Sequence, residues 1–120
     1  YKARSTWSCP PTEPIFLMNT LEDNALLQQS FFKELSEVRH LLQQRAKAFI
    51  EEAKAVGLVH YPYVSGFFVT IPVLQPKVVF ERLKAKDIFV VPLSGAIRVA
   101  LAAISVDEIK GLAAKIKQEI

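Results

Sequence analysis

Arg98 stands between Ile97 and Val99 in a run rich in β-branched residues and alanine. If that run is a strand, alternation puts Ile97, Val99, Leu101 and Ala103 on one face and Arg98, Ala100 and Ala102 on the other. A lone arginine beside two alanines is a cation set into a close-packed surface. Burying such a charge unpaired costs several kcal/mol, roughly, so it needs an anion. The guanidinium fork grips a carboxylate through two parallel hydrogen bonds. Arg98 therefore reads as half of an internal salt bridge or as a receptor for an external carboxylate. Arg4 precedes the run Trp7-Ser8-Cys9-Pro10-Pro11 and reads, alone, as an exposed cation near the terminus. His40 falls inside a helical pattern and His60 beside Tyr61, with no cysteine or acidic cluster near either. They make a poor metal pair. Cys9 has no base next to it and reads as a structural thiol. The sequence contains no phosphate-binding glycine loop, no H-E-x-x-H and no nucleophile elbow.

The elements that hold these residues follow from pattern. The 120 residues suffice for one domain, and 51% of them are hydrophobic against 22% charged, a globular balance. A single cysteine excludes an internal disulfide. The net charge of +3 gives no basic face for nucleic acid, and no apolar run approaches the ~20 residues of a membrane helix. Residues 1–23 hold three prolines with Trp7, Ile15, Phe16, Leu17 and Met18, and read as an extended apolar arm that lies against its own helix, another domain or another subunit. Residues 24–56 carry Leu27, Phe31, Leu35, Val38, Leu42, Phe49, Ala53 and Val56 as one apolar stripe, which Arg45 interrupts. Asn24 or Asp23 starts this long helix and Gly57 ends it.

Beyond it the order is strand (67–71), helix (76–85), strand (88–93), strand (97–104) and helix (106–118). Ser94-Gly95 turns the last two strands into an antiparallel hairpin. Ser105 and Glu108 form a capping box, and the last helix continues through Gly111. The expected fold class is α+β: a long helix, then a small three-stranded mixed sheet with an antiparallel hairpin, covered by helices.

Three segments, taken in register, resemble the class I aminotransferases of the aspartate and aromatic type, which are pyridoxal-phosphate enzymes of fold type I. Arg4-Ser5-Thr6-Trp7-Ser8-Cys9-Pro10-Pro11 resembles their Arg-x-x-[Tyr/Trp]-Ser-Asn-Pro-Pro segment. Gly66-Phe67-Phe68 resembles their Gly-Met/Phe-Phe strand. Ser94-Gly95-Ala96-Ile97-Arg98-Val99-Ala100 resembles their Ser-Gly-Arg-x-[Asn/Arg]-Val-Ala hairpin. Cys9, where the family has Asn, and Ala96-Ile97 depart from the pattern.

The resemblance implies that Arg98 holds the substrate's α-carboxylate. It implies that Arg4 is offered across a dimer interface to a side-chain carboxylate, and that Phe67 and Phe68 form a substrate wall. It covers only the C-terminal part of such an enzyme, so residues 24–120 would be its small domain and residues 1–23 an interface arm. The Schiff-base lysine would lie upstream, because no lysine here sits in the family's Ser-x-x-Lys context. The expected partners are an N-terminal large domain, a second subunit, an amino acid and a 2-oxo acid such as 2-oxoglutarate. Pyridoxal 5'-phosphate is expected in the whole enzyme and not on this chain alone, which is expected to be inactive. The chain begins at Tyr1 and shows no signal peptide, which fits a piece of a longer cytoplasmic protein. Two other readings use the same elements: a free-standing amino-acid-binding regulatory module, and a dimerisation domain built on the long helix.

Overall fold

A computed structural model describes residues 11–120 of the chain. The described residues divide into two units, with the boundary between Val38 and Arg39.

In the first unit, α1 spans Thr12–Asp23. The arm expected to be extended is thus helical from Thr12, and the rest of it lies outside the described residues. The prolines explain the difference. Pro11 is the N-cap and Pro14 falls in the first turn, where N–H groups have no intrahelical partner to lose. From Ile15 to Leu21 nothing opposes a helix. No residue of α1 is buried, and Phe16, Leu17 and Met18 are exposed. The helix α2 spans Ala25–Ala55, one residue inside the expected limits at each end. Asn24 caps it, its Oδ1 accepting from the N–H groups of Leu26 and Leu27, both at 3.1 Å. Leu26, Leu27, Phe31 and Phe32 on its first half are also exposed.

The second half of α2 belongs to the second unit and buries Ala46, Phe49 and Ala53. It closes as expected at Gly57, whose φ is +67°. Leu58 N–H donates to Ala53 O and Gly57 N–H to Lys54 O, a paired C-terminal cap that also brings Leu58 into the core.

The sheet consists of β1 (Phe68–Pro72), β2 (Val91–Leu93) and β3 (Ala96–Ala100), in the order β1-β3-β2. Both pairings are antiparallel. The expected mixed sheet is corrected here. The hairpin return places β3 between the other two, so β1 and β2 never pair with each other. Ser94 and Gly95 form the two-residue turn, with Gly95 at φ +71°. Helix α3 (Pro76–Lys84) crosses from β1 to β2, with Pro76 in its first turn as expected.

Two strands are shorter than their pattern. Asp87 takes a left-handed φ of +58°, and Ile88 N–H donates back to Leu83 O. Residues 85–88 are therefore spent on ending α3, and β2 begins only at Val91. β3 stops at Ala100 because Leu101 and Ala102 both donate to Phe67 O. That winds Leu101–Ala103 into one 3-10 turn and buries Leu101.

The last helix is two helices, not one: α4 (Val106–Ile109) and α5 (Leu112–Glu119). Ser105 and Glu108 form the expected capping box on α4. The break falls at Gly111, at φ +81°, a conformation that disfavours any residue with a Cβ. The core lies between α2, the inner face of the sheet and the later helices. Phe49, Ile71, Leu83, Ile97, Leu101, Ile109 and Ile116 are its largest fully buried side chains.

Candidate active-site surface

The register assigns each strand residue to a face. Arg98 stands opposite Thr70 of β1 and Val91 of β2, and Phe68 stands opposite Ala100. Directly paired residues share a face. Ile97 and Val99 point to the core and are almost fully covered, while Arg98 and Ala100 are half-buried on the other side. The alternation read from the sequence therefore holds over residues 97–100. The outer face is Phe68 and Thr70 on one flank, Arg98 and Ala100 in the middle, and Val91 and Leu93 on the other.

The Arg98 guanidinium lies over the Phe68 ring, its carbon 4.4 Å from the ring centre. The cation faces the electron-rich side of the ring and is sheltered from water there. Its Nε is buried and has no hydrogen-bond partner among the described residues. The ion pairs among those residues are Lys47–Glu51, Lys86–Glu119 and Lys110–Asp107. None of them involves Arg98. An internal salt bridge, one of the two roles open to Arg98 on pattern alone, has no described partner. A partly desolvated guanidinium whose fork has no partner among the described residues has the shape and charge to take a planar anion.

Phe67 is exposed just before β1 and meets Phe68 edge to face, with ring centres 6.4 Å apart. Its carbonyl takes the two N–H groups that end β3. The structure thus joins Arg98 to Phe68 directly and to Phe67 through Phe68. Arg4, Trp7 and Cys9 lie outside the described residues.

The remaining candidates stand apart from this face. His40 is exposed on α2. The His60 ring nitrogen Nδ1 sits 2.8 Å from Tyr61 O. Among the described residues no three His, Cys, Asp or Glu side chains gather as a metal set. No described helix is long and apolar enough to cross a membrane.

Two residues that pattern reading passed over hold this framework. Arg45 Nη1 donates to Ala102 O at 2.8 Å. Glu52 accepts from Gly111 N–H at 2.8 Å and from Ala114 N–H at 3.0 Å. It thereby caps α5, a helix start that exists only because Gly111 breaks the chain there. The available signal was their spacing. Arg45 and Glu52 lie seven residues apart and bracket Phe49 on the inward face of α2, where a polar side chain must find a partner.

The model of the aminotransferase class I and II family matches residues 3–116. The chain belongs to that family. A crystal structure of an aminotransferase from Anaerococcus prevotii DSM 20548 has the same fold, with a TM-score of 0.90 and 29% sequence identity. The likeness covers 98% of this chain and 29% of that one, so the chain spans less than a third of the length of that aminotransferase. Among curated proteins none matches.

Enzymes of this aminotransferase family work with pyridoxal 5'-phosphate. Every lysine among the described residues is exposed. None occupies the sheltered pocket in which a lysine amine is lowered to a reactive state. What the described residues do form is an outer sheet face on which one half-buried arginine, Arg98, has no ion-pair partner among them.

Proposed function

We propose that this chain is the C-terminal small domain of an aminotransferase of the aspartate and aromatic type, and that Arg98 receives the α-carboxylate of the amino acid. The observation that carries this reading is the Arg98 guanidinium, laid over Phe68 on a largely apolar sheet face with no described ion-pair partner. The ring shelters the guanidinium on one side, and the guanidinium fork is suited to the two oxygens of a carboxylate. A bidentate pair fixes two points of the amino acid, and so fixes the direction of the bonds at its Cα. Phe67 and Phe68 wall the site against water and carry the apolar part of the substrate. Thr70 and the small Ala100 leave room for the ligand above the strand.

The same reading gives Arg4 to the neighbouring subunit's site, where it meets the side-chain carboxylate of an aspartate-like donor and moves aside for an aromatic one. The donor gives its amino group, and a 2-oxo acid such as 2-oxoglutarate accepts it. Both acids share the α-carboxylate and both use Arg98. The exposed apolar residues of α1 and the first half of α2 suit burial against the rest of the enzyme, its large domain or its second subunit. The lysine and the cofactor cradle belong to the remainder of a cytoplasmic polypeptide, and this chain alone does not transaminate.

The test uses the complete polypeptide with pyridoxal phosphate, following its visible absorption while aspartate and, separately, tyrosine are titrated. Conversion of the cofactor band by either donor is the expected result, and the better donor assigns the subtype. In Arg4→Ala the loss should fall mainly on acidic donors. Absence of a cofactor band, with amino-acid binding retained by the chain, would replace this reading with a binding module.

A further inference from the structure

We propose that Arg45 is a positioning residue for Arg98, acting from α2 through the turn that ends β3. This rests on the reading of Arg98 as the carboxylate receptor. The links are explicit. Arg45 Nη1 donates to Ala102 O at 2.8 Å. Ala102 N–H donates to Phe67 O at 3.3 Å, and Leu101 N–H donates to that oxygen at 2.8 Å. Phe67 leads directly into Phe68, whose ring carries the Arg98 guanidinium. The Ala102 residue is therefore held from two sides, by the entry to β1 and by the long helix. Without Arg45 only the first hold remains.

The sequence separation makes this bond informative. Arg45 and Ala102 are 57 residues apart, and a half-buried arginine whose Nε has no described partner is costly to keep on the inward face of a helix. Cheaper side chains would fill the space. A guanidinium reaches where they do not, and it delivers a charge-assisted hydrogen bond to a carbonyl that β3 has just left unpaired. The position it fixes lies four residues after Arg98. A shift of an ångström at the receptor is enough to lengthen one of the two parallel hydrogen bonds to a carboxylate beyond bonding distance.

The decisive signal is the Nε–Hε resonance of Arg98 in the complete polypeptide labelled at arginine with heavy nitrogen. The burial of that Nε slows its exchange, and the Phe68 ring current displaces it. It is assigned by its loss in Arg98→Lys. In Arg45→Met the signal should move toward the position of an exposed arginine. KM for the amino donor should rise about tenfold while kcat changes less than about threefold. Arg45→Lys, which keeps a charge and a donor on a shorter reach, should restore part of both. Glu52→Gln loosens a different hold of the same helix, that of α2 on the start of α5, and should lower stability without moving the signal. A moved signal with unchanged KM supports the positioning and instead removes the carboxylate role of Arg98. An unmoved signal in folded Arg45→Met overturns the proposal, as does equal movement in Glu52→Gln. If Arg45→Met does not fold, the same comparison is made with Arg45→Lys against Glu52→Gln.

Discussion

The guanidinium carbon of Arg98 sits 4.4 Å from the centre of the Phe68 ring, diagonally across the β1–β3 ladder. The pairing does two things at once. It shelters the cation on one side, and it seats the guanidinium against a rigid aromatic ring.

Replacing the ring while keeping apolar bulk separates these effects from simple packing. Phe68→Leu keeps the strand and loses the aromatic face. Sheltered cation–ring contacts contribute about 1 to 2 kcal/mol. The expected outcome is a rise in KM for every amino donor of roughly five- to thirtyfold, read by steady-state kinetics on the complete enzyme. No change with any donor would show that the ring does not help to present Arg98.

Arg98 itself is tested by the smallest change. Arg98→Lys keeps the charge but replaces a planar fork with a point charge on a flexible stem. Loss of a bidentate carboxylate contact is expected to cost about 3 kcal/mol, roughly a hundredfold in kcat/KM. The loss should be of similar size for acidic and aromatic donors, because both carry the same α-carboxylate. A loss confined to one class would place Arg98 on the side chain of the substrate instead. Unchanged circular dichroism would confirm that the fold survives.

Glu52 carries a prediction about stability rather than chemistry. Its carboxylate takes two N–H groups at the start of α5, from a helix start that has no side-chain cap of its own. Hydrogen bonds to a charged acceptor are each worth about 1.5 to 3 kcal/mol in sheltered settings. Glu52→Ala should therefore lower unfolding stability by about 2 kcal/mol or more. The urea midpoint should fall with little change in slope. A midpoint equal to that of the native protein would mean that water replaces the carboxylate at no cost.

Much of this framework is legible in the residues, and the failures share a cause. Periodicity located α2 to within one residue at each end, because a long amphipathic helix is a repeated local signal with a cap at both termini. The same reading placed the hairpin and put Arg98 on the outer face. It failed where tertiary hydrogen bonds override local preference. β3 has the composition of a longer strand, but Phe67 O collects the N–H groups that would extend it. The last helix has the composition of a single run, but Glu52, some sixty residues earlier, holds a new helix start at Gly111. Thr12–Asp23 was read as extended because three prolines were counted without their positions. Those at residues 11 and 14 fall where a helix tolerates them. Arg45 passed as a flaw in an apolar stripe, since nothing local announces the carbonyl that it reaches.

The capping box at α4 makes stability depend on pH in a defined direction. Glu108 Oε2 accepts from Ser105 N–H at 2.7 Å, and Ser105 Oγ accepts in turn from Glu108 N–H at 3.3 Å. The backbone and hydroxyl bonds from Ser105 hold the Glu108 carboxyl below its usual range, with a smaller contribution from the charge of Arg45. A carboxyl whose folded pKa is depressed binds its proton more weakly in the folded state than in the unfolded chain. Its contribution is therefore fully present above the ordinary glutamate value of 4.5, and is lost as pH falls through the lower folded value. Asp107 titrates in the same direction, because the Lys110 ammonium hydrogen-bonds to it at 2.7 Å and lowers it. Glu108→Gln keeps a side chain that can close the box but removes the charge. The variant should be less stable than the native protein at neutral pH, and the gap should close as the pH is lowered below the carboxylate range. Urea midpoints of both proteins, measured from neutral pH down through the carboxylate range, read this directly. A gap that stays constant at every pH would show that the charge of Glu108 contributes nothing and that only its shape closes the helix.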